Sequence, residues 1–303
     1  MKKVIVTGGA GFIGSHLTDE LIKDGYQVAI VDNLSSGRRE NINKEVKFYR
    51  IDICDKDKIL EVVTKENPLC IFHLAAQTDI NKSATDPELD KKINIGGSIN
   101  VIKAAEKNNV KNFIFASSAG VYGDSETLPA KETDPTNPPS VYGRSKLFVE
   151  KYLKNQGKIK SAILRYSNVY GPRQNSKQEA GVVAIFTDKM INGKQPILYG
   201  DGSHTRDFIF VADVVEANIV AFEKGLSGIF NVGTARETSI NQLFDKLAEL
   251  SKMDIKKKFG PEREEQKRSS LDFSKLNKAA GWLPRYSVDD GLKETIKFFK
   301  NRT

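Results

Sequence analysis

Tyr142 and Lys146 stand four residues apart in Tyr-Gly-Arg-Ser-Lys. On a helix that spacing brings both side chains to one face. An ammonium beside a phenol favours the phenolate and lowers the tyrosine pKa, so Tyr142 can act as a base toward an alcohol. Ser117-Ser118 lies two dozen residues upstream, at the end of an apolar run. A serine there can hydrogen-bond the reacting oxygen, or simply cap a turn. Near the N-terminus, Thr7-Gly-Gly-Ala-Gly-Phe-Ile-Gly14 spaces Gly8, Gly11 and Gly14 three apart, with Phe12 and Ile13 between the last two. Such a loop between a strand and a helix lets phosphate oxygens approach backbone N–H groups at the positive end of the helix.

Asp32 follows Gly14 by 18 residues. A carboxylate at the end of the second strand of a βαβ unit accepts from both ribose hydroxyls of an adenosine and repels a 2′-phosphate. This favours NAD over NADP, although Arg38 and Arg39 lie close enough in sequence to meet such a phosphate. Asp52-Ile53 is expected to close the third strand. That position suits a contact to adenine or an ordinary strand-end turn.

The elements that must carry these groups alternate along the first half of the chain. Strand patterns run over Val4–Thr7, Gln27–Val31, Val46–Arg50, Cys70–Leu74, Asn112–Ala116 and Ser161–Arg165. Helical spacing runs over Phe12–Lys23, Glu88–Lys107 and Val141–Asn155. The alternation predicts an α/β fold with a doubly wound parallel sheet. Gly171-Pro172 breaks the rhythm and residues 173–179 read as a loop. Helices are expected at Val182–Ile191, Val211–Phe222, Ile240–Leu250 and Val288–Lys300. This divides the chain into a dinucleotide-binding domain, 1–171, and a smaller mixed α/β substrate lobe, 172–303, with segments returning to the sheet.

Composition bounds the rest. The 303 residues are 39% hydrophobic and 28% charged, a globular balance. Two cysteines, Cys54 and Cys70, exclude a disulfide scaffold. Three dispersed histidines, His16, His73 and His204, argue against a metal centre. The apolar run near the N-terminus is too short for a signal peptide and no stretch matches a membrane span, so a cytoplasmic protein is expected. The net charge of +8 is spread along the chain, which suits an anionic small substrate better than a nucleic-acid patch.

The chain resembles an extended short-chain dehydrogenase/reductase of the NAD-dependent epimerase/dehydratase family. The resemblance runs in order through Thr7 to Gly14, Asp32-Asn33-Leu34, Leu74-Ala-Ala-Gln77, Asn94, Ser118-Ala-Gly-Val-Tyr-Gly123, Tyr142 to Lys146, Leu164 to Arg173 and Arg206-Asp-Phe208. It implies a Rossmann-type fold and NAD as cofactor. By resemblance Tyr142 is the base, Lys146 orients the nicotinamide ribose, and Ser118 binds the sugar oxygen. Asn33, Leu74, Ala75, Ala76 and Gln77 line the cofactor, Asn94 is structural or stands near the site, and Tyr166 lies by the nicotinamide. Asn168 contacts substrate, while Arg206 and Arg263 clamp a diphosphate.

Family members that eliminate water or carbon dioxide carry extra acids around the catalytic serine. This chain has Ser118-Ala119-Gly120 instead, which implies C4 epimerisation of a UDP-hexose such as UDP-glucose or UDP-galactose. Another nucleotide-sugar reaction, such as uronate 4-epimerisation, would call for an uncommitted arginine, and Arg173 is the candidate. A non-catalytic NAD-bound regulator is disfavoured, because such proteins tend to lose the tyrosine or the lysine. The family places a gate to the N-acetyl pocket a few residues after the second arginine. Ser269 and Ser270 are both small there, which implies that N-acetylhexosamine forms also enter. The resemblance further implies a homodimer.

Overall fold

The computed structural model describes residues 2–155, 158–177, 181–263 and 266–301. Seven parallel strands form the main sheet: β1 (Lys3–Thr7), β2 (Gln27–Val31), β3 (Lys47–Tyr49), β4 (Cys70–His73), β5 (Asn112–Ser118), β6 (Ser161–Tyr166) and, much later in the chain, β11 (Gly228–Val232). Their spatial order is β11-β6-β5-β4-β1-β2-β3. The strand between β4 and β2 is the first in sequence, so the winding reverses beside β1 and leaves a crevice at the carboxyl ends of the strands.

Successive side chains alternate between the sheet's two faces. Val4, Val6, Val28, Ile30, Cys70, Phe72, Ile114, Ala162 and Leu164 enter one buried cluster, with Leu17 and Leu21 of α1 (Phe12–Lys23) and Val214 and Ala221 of α8 (Val211–Glu223). Ile5, Ala29, Ile71, Phe113, Phe115 and Ile163 enter another. That second cluster is closed by α2 (Lys56–Glu66), α5 (Ser98–Lys107) and α6 (Val141–Asn155). A strand buried on both faces reads as a continuous apolar run, which is how these strands appear in the sequence.

The second helical stretch is less regular than its spacing predicts. The expected Glu88–Lys107 helix divides into the end of α4 (Pro87–Asp90), a π-helical segment at Lys91–Gly97, and α5, and a separate short helix, α3 (Ile80–Thr85), precedes it. The third strand also ends earlier than expected. Pairing with β2 stops at Tyr49, so Asp52 and Ile53 lie in the turn beyond it.

The remaining elements are short strands and helices. They are β7 (Asn168–Tyr170), β8 (Leu198–Tyr199), β9 (Thr205–Arg206), β10 (Phe208–Phe210), β12 (Thr238–Ser239) and β13 (Phe259–Gly260), with α7 (Val182–Ile191), α9 (Ile240–Ser251), α10 (Ser274–Ala280) and α11 (Val288–Lys300). They form two-stranded pairs, β10 with β7, β12 with β9 and β13 with β8. Among the described residues no helix is long and apolar enough to cross a membrane.

Candidate functional site

The glycine loop is built by close backbone approaches. Gly8 has φ +72°, and a Cβ on it would stand 2.7 Å from the Ala75 nitrogen. A Cβ on Gly14 would stand 2.2 Å from the Gly8 carbonyl oxygen. Gly11 donates to that same oxygen at 3.1 Å and is the N-cap of α1, with no side chain capping the helix. The first-turn N–H groups, those of Phe12, Ile13 and Gly14, therefore face outward at the positive end of the helix, as a pyrophosphate requires. Phe12 itself is buried in the core, while Ile13 is half-buried.

Asp32 follows β2 and is almost fully buried. Its carboxylate accepts from the Ala10 N–H at 3.0 Å and the Leu34 N–H at 2.8 Å, which locks it against the glycine loop. Burial raises its pKa, and these two hydrogen bonds work the other way. Asn33 donates to Asp52 at 2.9 Å, and Asp52 also accepts from the Cys54 N–H at 2.8 Å. Burial works against ionisation of Asp52, but those bonds outweigh it and lower its pKa. Ile53 turns its side chain into the core beside Gly97. Arg38 pairs with Glu40 at 3.4 Å.

The segment after β4 is bound to the loop after β1. Leu74 donates to the Thr7 carbonyl at 3.1 Å, and Ala75 donates to Thr7 Oγ1 at 3.3 Å. Gln77 exchanges backbone bonds with the side chain of Asn94, which accepts from Gln77 N at 2.8 Å and donates to its carbonyl at 2.9 Å. Beneath lies a buried relay that the sequence analysis missed. His73 contacts Thr7 Oγ1 through Nδ1 at 2.7 Å and Ser98 Oγ through Nε2 at 2.9 Å. Ser98 donates onward to the Asn94 carbonyl at 2.6 Å, so Nε2 carries the proton and Nδ1 accepts from Thr7. Burial brings His73 down to about 3 and keeps it neutral.

Ser118, Tyr142, Lys146 and Tyr166 meet where β5 and β6 end. Ser118 pairs in register with Tyr166. Its hydroxyl accepts from the Gly120 N–H at 3.1 Å, so the turn-capping role is real, and the hydroxyl proton is still free to be donated. Lys146 is buried and donates to the Ala116 carbonyl at 2.8 Å. Its ammonium lies 5.7 Å from the Tyr142 ring centroid and 5.0 Å from that of Phe115. Tyr166 donates from its hydroxyl to Asn218 Oδ1 at 2.8 Å.

Electrostatics correct one expectation. The lysine was expected to lower the tyrosine pKa, but burial and then the Asp90 carboxylate push Tyr142 above the ordinary phenol range. Burial brings Lys146 down to about 8, against the opposing pull of Asp90 and Glu150. Desolvation dominates at Tyr142, and the Lys146 ammonium spends a hydrogen bond on the Ala116 carbonyl.

The candidate substrate groups cluster on the second half of the chain. Asn168 is exposed at the start of β7, and its N–H bonds the Asp207 carbonyl at 2.9 Å, one residue from Arg206. Thr205 donates to the Lys267 carbonyl at 2.9 Å and Gly200 to Pro261 at 3.3 Å, so the stretches bearing Arg206 and Arg263 run side by side. Arg263 is exposed, with its guanidinium 3.2 Å from the centroid of Tyr199, an aromatic neighbour that the sequence reading did not single out. The two glutamates after Arg263 lie outside the described residues. Ser269 and Ser270 are buried, and Ser270 accepts from Ala130 at 2.9 Å, in the loop that follows Ser118. Arg173 is committed: it pairs with Asp19 at 2.7 Å.

Two further buried groups escaped the motif search. Glu150 and Arg165 form a buried pair at 2.6 Å, and Ser117 also donates to Glu150. Asp90 is fully buried behind α6. Glu150 falls one helical turn past Lys146, a spacing visible in the sequence, but nothing local signals that Arg165 arrives from a different strand.

Comparison with known proteins agrees with this geometry. The model of the NAD dependent epimerase/dehydratase family matches residues 4–233. A UDP-glucose 4-epimerase from Thermotoga maritima, solved with UDP-glucose, is 43% identical, with a TM-score of 0.97 and 99% of each chain covered. A UDP-glucose 4-epimerase from Thermus thermophilus, in complex with NAD, is 37% identical, with a TM-score of 0.94 over 99% of this chain and 100% of that one. A UDP-N-acetylglucosamine 4-epimerase from Methanobrevibacter ruminantium, in complex with UDP-N-acetylmuramic acid, is 35% identical, with a TM-score of 0.92 over 100% of this chain and 99% of that one. The matched region runs through the glycine loop, Asp32, Ser118 and the Tyr142–Lys146 pair, and the chain belongs to the NAD-dependent epimerase/dehydratase family, with NAD as its cofactor.

Proposed function

We propose that this enzyme inverts C4 of a UDP-hexose, interconverting UDP-glucose and UDP-galactose. One observation carries the reading: Tyr142 and Lys146 share a face of α6 beside Ser118, while the turn after Ser118 is Ala119-Gly120 and offers no further acid. A site with one base and no second acid suits oxidation and reduction at a single carbon, and elimination asks for more.

Tyr142 takes the proton of the C4 hydroxyl and later returns it. Ser118 donates to the C4 oxygen with the proton its cap leaves free. Lys146, held by Ala116, keeps a positive charge near the phenol and can donate to a ribose. Gly8 and Gly14 leave the space, and α1 the free N–H groups, that a pyrophosphate needs; Asp32 suits a ribose diol. NAD held by these groups would supply the hydride acceptor and donor for C4, and its oxidised ring would add a positive charge beside the phenol. Arg206 and Arg263 are assigned to the substrate diphosphate, for which a planar guanidinium fork is well shaped. For Arg263 this requires release from Tyr199.

The paired state of Arg173 disfavours a uronate as substrate. The small buried Ser269 and Ser270, and the likeness to a UDP-N-acetylglucosamine 4-epimerase, favour entry of N-acetylhexosamines as well. We infer a soluble cytoplasmic homodimer, and that the lobe formed after residue 171 holds the sugar nucleotide. Incubation of the purified protein with UDP-galactose, with UDP-glucose as readout, tests the activity; no conversion by protein that retains nicotinamide absorbance overturns it. The same assay with UDP-N-acetylglucosamine tests the wider specificity, and turnover confined to the unacetylated sugars would refute that part alone.

A further inference from the structure

Asp90 closes α4 and immediately precedes the π-helical segment. It is fully buried. One oxygen accepts from Ser145 Oγ, on α6 between Tyr142 and Lys146. The other accepts from Ser83 Oγ at 2.6 Å and from Asn94 Nδ2 at 2.8 Å. Asn94 Nδ2 can only donate, and both serine hydroxyls are able to donate as well, a set that suits an ionised carboxylate. Among the described residues no arginine or lysine bonds it directly, which is unusual for a buried charge. The Lys146 ammonium is the positive charge that it supports from a distance.

We propose that Asp90 is a positioning residue for the reaction: a fixed negative charge behind α6 against which the Tyr142–Lys146 pair is set. Its geometry does two things. Through Ser145 it fixes the turn of α6 that carries both side chains. Through Asn94 it ties that turn to Gln77, and so to the segment packed on the glycine loop. A π-helical turn is a usual place for such a device, because it redirects a side chain that a regular helix would leave on another face.

Its charge favours the ammonium of Lys146 and opposes the phenolate of Tyr142. Other groups face the same pair. Glu150, on α6, also supports the Lys146 ammonium, but it is paired with Arg165 of β6. His73 of β4 is neutral, and Tyr166 of β6 adds a second phenol beside Tyr142. Lys91 and Lys92 follow Asp90 in sequence but are exposed. Among the described residues Asp90 is thus the buried carboxylate near the pair that no ion pair offsets. The inference rests on the reading of Tyr142 as base.

The test is the pH dependence of kcat/KM for UDP-galactose in the NAD-bound enzyme, compared among wild type, Asp90→Asn and Ser145→Ala. Asparagine can turn its oxygen to Ser83 and Asn94 and its amide to Ser145, so it keeps the shape and removes the charge. Loss of a nearby negative charge lowers the pKa of both groups, so both limbs of the profile should move to lower pH, by about half to one unit. Ser145→Ala keeps the charge, and should lower the rate with both limbs in place. Limbs that stay put in Asp90→Asn overturn the proposal, whatever the fall in rate. Asp90→Ser, which leaves room for water, reads the same shift if Asp90→Asn does not fold. If neither folds, Asp90 is an anchor of the fold and the proposal fails. Tyr142→Phe, run alongside, separates the two readings: full activity there refutes the base itself, whereas an inactive Tyr142→Phe with unmoved Asp90→Asn limbs refutes only the role of Asp90.

Discussion

Lys146 donates from its ammonium to the Ala116 carbonyl at 2.8 Å, on β5, the interior strand that ends in Ser118. The lysine is thereby held by β5 while its own helix carries Tyr142, and with the bond from Ser117 to Glu150 it sets the phenol relative to Ser118. Burial leaves Lys146 titrating at about 8. Turnover is predicted to rise with pH up to that value and to level off above it, because each further gain of phenolate is offset by loss of the ammonium. Lys146→Met should be slow throughout, without a break of that origin.

Tyr142→Phe removes the proposed base and leaves the ring. We predict a loss of turnover of about 10²- to 10⁴-fold with NAD still bound. The check is a steady-state assay with bound nicotinamide followed by absorbance; unchanged turnover would refute the role.

Ser118→Ala should act on kcat more than on KM. Its hydroxyl donates to an oxygen that gains charge as the proton leaves, and loss of one such donor costs about 10²-fold. The bond to Gly120 is lost as well, so the variant's melting temperature should be measured beside its kinetics. A raised KM with kcat intact would point to simple substrate binding.

Gly14→Ala drives a methyl toward the Gly8 carbonyl, which lies 2.2 Å from the Cβ position. Both partners are backbone, so the loop must open. We expect NAD affinity to fall at least about tenfold, equivalent to about 1.4 kcal/mol. Titration of the apo protein with NAD measures it, and an unchanged Kd would show that the loop does not hold the cofactor.

The Glu150–Arg165 pair should be costly to split. Glu150→Gln leaves a buried guanidinium without its counter-ion, at a cost of about 3–5 kcal/mol. The double variant Glu150→Gln/Arg165→Met should recover part of that loss. Urea denaturation reads both, and equal stability of the single variant and wild type would contradict the prediction.

His73 makes acid stability testable. Its folded pKa, about 3, lies below the unfolded value near 6.5. The unfolded chain therefore binds the proton first, and the His73 contribution is complete above 6.5 and is lost as pH falls toward 3. The slope is about 1.4 kcal/mol per pH unit within that window. Asp207 works in the opposite sense, since burial raises it to about 6. It favours the folded state more as pH falls from 6 toward its unfolded value. Comparing the urea midpoint of wild type and His73→Gln at about pH 7 and about pH 5 isolates the histidine. Parallel changes in both proteins would refute it.

Much of the site was legible because its signals are local. Gly8, Gly11 and Gly14 declare a loop that must come close to something, and the spacing of Tyr142 and Lys146 declares a helix face. The strands were legible because burial on both faces makes an apolar run. The π-helical segment was not, since no local pattern in Lys91–Gly97 marks where α-helical pairing gives way to π-helical pairing. The third strand was read too long, because the pairing that ends at Tyr49 depends on β2 rather than on the residues after it.

The sequence by itself determined which groups are present and which neighbours share a turn: a phosphate-ready loop, an acid after the second strand, a phenol with an ammonium one turn away. Tertiary structure decided how those groups titrate and that Arg173 is already paired. Asp90 bonds Ser145, between Tyr142 and Lys146, from a different helix, Arg165 reaches Glu150 from a strand, and Arg173 is held by Asp19. Protonation energies depend on burial and on charges brought together from distant parts of the chain, and no spacing rule along the chain contains that information.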